Sequence, residues 1–184
     1  MQQLLKLSQA IDRLNNRIGL LLSWLLLIMV LLGVYNAVTR KLSQSAGIDL
    51  SSNMYIEAQW YLFSLVFLWA GAYALRHGVH VRVDILYSRM APRSRAWVDI
   101  LGTLFFLLPL CLLIIWVSTP YALDSWRILE DSPDPDGLPR YLIKSAIPVG
   151  FILLLLQGLS ELVRNIAILR GLTTAEERGE VESL

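Results

Sequence analysis

Four long stretches without a charged side chain constrain this sequence more than any other feature. No Asp, Glu, Lys or Arg falls between Arg17 and Arg40, between Glu57 and Arg76, or between Asp99 and Asp124, and a fourth run extends from Lys144 to Glu161. A helix needs about 20 apolar residues to cross about 30 Å of hydrocarbon, and each run meets or approaches that length. In a chain of 184 residues, four crossings leave little for a soluble domain. The 55% hydrophobic content and mean hydropathy of +0.55 agree with this, being too apolar for an ordinary soluble domain of this length. The expected fold is all-α and integral to the membrane, with four transmembrane helices over about 18–38, 55–75, 98–121 and 142–163 in one membrane domain spanning 18–170.

The flanking segments have their own patterns. Leu4, Leu7, Ile11, Leu14 and Ile18 recur at intervals of three and four, while Lys6, Gln9, Arg13 and Asn16 occupy other faces. This predicts an amphipathic helix over 1–17 lying on the membrane surface. The apolar run behind it is longer than a signal h-region and closes on no small-x-small site, so the first span is expected to be retained. Trp60 and Trp69, near the ends of the second span, suit the water–lipid boundary. Pro92 suits the first turn of a helix, and Pro109 is expected to kink the third span. The segment Asp124–Pro139 carries five acids and three prolines and reads as a stiff acidic loop, with room for one helical turn around 125–129. Beyond the fourth span, Glu161 and Arg164 are spaced to pair, and 171–184 forms a charged tail.

Arginine distribution sets the orientation. Arg76, Arg82, Arg89, Arg93 and Arg95 crowd the connector between spans two and three, whereas the link between spans one and two has only Arg40 and Lys41. The positive-inside rule then places that connector and both termini in the cytoplasm, with the acidic loop outside.

Residues able to carry chemistry are sparse. The spans hold isolated Asn36, Ser64 and Thr103 and no ionisable side chain at mid-depth, which argues against an autonomous carrier or channel. His77 and His80 are the only histidines, three residues apart at one membrane edge. A respiratory anchor subunit holding haem needs ligands on facing helices, and these do not provide them. A metal site using both with Asp84 would lack a clear further ligand. Asp131, Asp134 and Asp136 have the wrong spacing for a calcium loop. The lone Cys111 reads as a small buried hydrophobe. Ala70 and Ala74, and Ala146 and Gly150, make small-xxx-small faces suited to close helix packing, internally or with a partner. A net charge of +1 gives no sign of a nucleic-acid partner. No catalytic constellation and no cofactor site is apparent.

The stretch Ala72-Tyr73-Ala74-Leu75-Arg76-His77-Gly78-Val79-His80-Val81-Arg82-Val83-Asp84 resembles the signature of the small membrane subunit, DctQ-like, of tripartite ATP-independent periplasmic (TRAP) transporters. That signature is an aromatic-rich second span, a basic residue, then Gly-x-His-Val-x-Val-Asp. Glu57, before Gln59-Trp60-Tyr61-Leu62-Phe63, matches the pattern ahead of it. Gly137-Leu138-Pro139-Arg140, running on to Lys144 and Pro148, resembles one branch of the family. The resemblance covers roughly 18–170. It implies a non-catalytic scaffold in a bacterial inner membrane, bracing a large DctM-like permease subunit that holds the sodium and substrate sites. A DctP-like periplasmic binding protein would deliver an organic acid. In that picture Arg76, Arg82, Arg93 and Arg95 would anchor the cytoplasmic face to membrane lipids and partner carbonyls. His80 and Asp84 would pin the turn after span two. Glu57, Gln59 and Trp60 would make contacts at the outer edge, and the acidic loop would meet the binding protein.

Overall fold

The computed structural model describes residues 2–46, 52–78 and 90–172. Helices make up nearly all of them: α1 (Gln2–Ala46), α2 (Asn53–Arg76), α3 (Pro92–Gly102), a π-helical turn (Thr103–Leu107), α4 (Leu108–Arg127) and α5 (Arg140–Leu169). No strand occurs among the described residues. The rod from Arg93 to Arg127 is long and apolar enough to cross a membrane, as are α1, α2 and α5, so each uncharged run lies in its own spanning helix. Local chemistry sets the ends. The Ser52 hydroxyl accepts the Met54 N–H at 3.2 Å to cap α2. Pro92 occupies the first turn of α3. Helices α2 and α5 are followed by Gly78 (φ +62°) and Gly171 (φ +68°), in a backbone conformation that costs glycine little.

The four rods run up and down. Ser8 Oγ lies 2.6 Å from Ser160 Oγ, and Asn16 Oδ1 lies 3.1 Å from His77 Nε2. The start of α1, the end of α2 and the end of α5 therefore share one end of the bundle. Helix α5 is the axis of the assembly. Its apolar window is 39% buried, against 11% for each of the others, and it packs against α1, α2, α3, the π turn and α4. Gly150 makes the α2 contact close: a Cβ there would stand 2.9 Å from the Leu68 carbonyl oxygen. The Ala146/Gly150 face is thus used for internal packing, while Gly71 faces open space. Cys111 is fully buried. Large apolar side chains such as Trp24, Phe106 and Trp116 point outward, as lipid permits.

Several local expectations are revised. Residues 2–17 are not a separate helix but the first turns of the unbroken 45-residue α1. Along its start the buried positions are Ser8, Asp12, Asn15, Gly19 and Leu22, spaced four and three, while Leu4, Leu7 and Leu14 are exposed. The polar face turns inward, where Ser8, Asp12 and Asn15 find hydrogen-bonding partners on α5. The disturbance at Pro109 takes the form of the π turn just before it, where the Leu108 N–H reaches the Thr103 carbonyl. One wider turn makes room for a ring that would strike the carbonyl four residues back. Leu107 of that turn sits over Gly158 of α5, 2.8 Å from a Cβ position there. Trp69 donates Nε1–H to the Ala146 carbonyl at 3.1 Å, so its polar edge is used between helices. Helix α4 runs on to Arg127 and absorbs most of the turn expected around 125–129.

Candidate functional site

Polar side chains gather at the two ends of the bundle. At the end holding the N-terminus, α1 contributes Ser8, Asp12 and Asn15, and α5 contributes Gln157, Ser160, Glu161 and Arg164. All but Arg164 are less than 5% exposed. The Asp12 carboxylate is the hub. Its Oδ1 accepts from Gln157 Nε2 and from Ser160 Oγ, both at 3.0 Å, and its Oδ2 lies 3.4 Å from Arg164. Asn15 Nδ2 donates to Gln157 Oε1 at 2.7 Å, and Arg164 also pairs with Glu161, as their spacing predicts. Arg76, at the end of α2, donates to the main-chain carbonyl of Asp12. Its guanidinium is 5% exposed and turned into the protein instead of toward lipid headgroups. The His77 ring meets the Tyr73 ring at a 43° tilt, 4.2 Å between centres, beside its contact with Asn16. Three helices are thus tied at one level by two acids and two arginines whose formal charges cancel.

The opposite end is closed by a second device. Glu57, 4% exposed on α2, accepts from Ser132 Oγ with one carboxylate oxygen and from the Leu138 N–H with the other. Tyr61 Oη donates to the Leu138 carbonyl at 3.2 Å, and Asn53 Nδ2 to the Pro135 carbonyl at 3.1 Å. Gly137 is required by space: a Cβ there would lie 2.3 Å from Ser132 Cβ and 2.8 Å from Glu57 Oε2. Glu130 fastens the other edge of the loop through Lys144 and through Ser125 Oγ at 2.7 Å. The Lys144 ammonium and then the Ser125 hydroxyl hold the Glu130 carboxyl below the usual carboxylate range. Lys144 also lies over the Tyr121 ring, 4.2 Å from its centre.

The structure joins Glu57 directly to the Gly137–Arg140 segment. Gln59 instead lies against α1, its Nε2 2.9 Å from a Cβ position on Gly33. Trp60 is 40% exposed and meets Tyr61 edge-on at 4.3 Å. Arg93 is exposed, and Arg95 donates Nε–H to the Met90 carbonyl at 3.0 Å. His80, Arg82, Asp84 and the tail from Thr173 lie outside the described residues. Sequence reading missed Asp12, Asn15, Gln157 and Ser160. Their signal was a polar stripe at helical spacing on each of two helices, opposite the apolar stripe that drew attention. No group of three or more His, Cys, Asp or Glu suited to a metal ion occurs among the described residues.

Residues 29–167, about three quarters of the chain, match the family described as tripartite ATP-independent periplasmic transporters, DctQ component. The match takes in Glu57, Arg76, the 128–139 loop and the α5 half of the buried polar cluster, but begins after Ser8, Asp12 and Asn15. No curated protein and no solved structure gives a significant match. The chain therefore belongs to the DctQ family, as a multi-pass inner-membrane component of a TRAP transporter.

Proposed function

We propose that this chain is a non-catalytic brace for the large permease subunit of a sodium-coupled TRAP transporter taking up an organic acid. A periplasmic binding protein of the DctP type delivers that acid. The observation that carries the reading is where the ionisable groups go. Asp12, Glu161, Arg76 and Arg164 are consumed in tying α1, α2 and α5 together, and Glu57 and Glu130 in tying down the outer loop. A solute path needs polar groups presented to a cavity. Here they are presented to neighbouring helices, as in a part whose task is to keep its shape. Both termini and the Arg-rich connector lie in the cytoplasm in this reading, and Arg93 and Arg95, with Arg82, meet lipid phosphates there. His80 and Asp84 pin the turn after α2. Gln59 and Trp60 support the outer edge, and the loop fastened by Glu57 is the surface offered to the binding protein.

The test is to purify the large subunit with and without this chain and compare thermal unfolding and sodium-driven uptake in liposomes. The brace raises the unfolding midpoint and is needed for uptake. An unchanged midpoint with full uptake by the large subunit alone rejects it.

A further inference from the structure

Helix α2 and the rod α3–α4 both pack on α5 but do not pack along each other, which leaves a groove of about 460 Å³ with α5 at its floor. Phe63, Phe67, Ile143 and Ile147 wall it, and Arg140 and Lys144 stand at its outer end. From Arg140 to Ile147 it runs about 10 Å into the membrane at 1.5 Å per residue. Lys144 is already engaged by Glu130. The Arg140 side chain makes no hydrogen bond and no ion pair among the described residues, and its Nε is buried without a partner. A cation that feels Glu130 only at longer range, with no hydrogen-bonded partner of its own, therefore sits at headgroup level above an apolar slot.

The geometry points to a phospholipid as the occupant, with its phosphate on Arg140 and one acyl chain in the groove. Charge and the apolar lining both select it. The guanidinium matches a phosphate oxygen pair, and the walls offer an acyl chain only hydrocarbon and aromatic surface. The groove volume falls within the range of about 300–1,000 Å³ usual for small-molecule sites. This inference requires only that the chain spans a membrane, so it stands or falls separately from the bracing role.

The experiment is native mass spectrometry of the delipidated full-length chain titrated with dipalmitoyl phosphatidylglycerol, with dipalmitoylglycerol as the phosphate-free control. One phosphatidylglycerol is expected to be retained, with the control bound about tenfold or more weakly, as loss of a charge-assisted hydrogen bond implies. Arg140→Gln should weaken phosphatidylglycerol by a similar factor. Ser64→Phe, which fills the groove without touching Arg140, should weaken both lipids, and it decides the matter if Arg140→Gln loses its helical circular-dichroism signal. Equal retention of phosphatidylglycerol by wild type and folded variants overturns the site, as does equal binding of the control. A photo-crosslinker at Ser64 that captures a helix of the large subunit in the assembled transporter also overturns it.

Discussion

Asp12 is the side chain whose loss should be felt most. Removing one partner of a buried charge network leaves the others unpaired and costs about 3–5 kcal/mol, whereas a neutral interhelical hydrogen bond in a membrane protein averages about 0.6 kcal/mol. Asp12→Ala is therefore expected to lower the unfolding midpoint in detergent far more than Ser8→Ala, although both sit in the same cluster. Arg164→Leu combined with Asp12→Leu should cost less than the sum of the singles, since the Asp12–Arg164 contact is then lost once and not twice, while Glu161 loses Arg164 in the double as in the Arg164 single. Glu130 gives a pH signature. Its folded-state pKa lies below the unfolded value, so the stabilisation is full above the ordinary carboxylate range and is lost as pH falls through the depressed value. Protease cleavage in 128–139 should rise only in that acid window, and Glu130→Gln should make cleavage high and independent of pH. Glu57 and the Glu161–Arg164 pair were legible from sequence because carboxylates at span edges and i,i+3 charges are conspicuous. Asp12 was not, because a lone acid in a basic N-terminal segment looks like one more solvated charge.

Among the helices, the four crossings were legible because length and apolarity alone specify them. The start of α1 was misjudged for a physical reason: amphipathicity tells which face differs, not which solvent it meets. Leu4, Leu7 and Leu14 are exposed, and Ser8, Asp12 and Asn15 are buried against α5. The π turn before Pro109 shows a similar limit, since a proline announces a missing hydrogen bond but not how the helix absorbs it. Pro109→Ala restores the N–H and removes the ring that the turn accommodates. Amide hydrogen exchange across 103–109 is expected to slow in that variant, and unchanged exchange would mean that packing of Leu107 on Gly158 holds the turn by itself. Packing of α2 on α5 depends on Gly150 in the same way. Gly150→Leu should push the two apart and break the Trp69–Ala146 hydrogen bond, seen as a shift in tryptophan emission.

The assembled bundle is a central helix with three rods around it, clamped by polar groups at both ends and apolar between. Its antiparallel course puts Gln2 and Leu172 at one end, and the proposed orientation assigns that end to the cytoplasm. Single cysteines in place of Lys6 and Leu172 in a Cys111→Ala background should react with an impermeant maleimide only after the membrane is opened. Which surface meets the large subunit was not legible in the sequence, because lipid-facing and partner-facing helices use the same leucines. In the proposed role these helices brace the transporter and offer no route for solute. Purified full-length chain reconstituted alone in liposomes, under an inward sodium gradient and with a labelled organic acid outside, tests this most directly. Uptake no greater than in empty liposomes is the expected result, and sodium-dependent accumulation of the acid would contradict it.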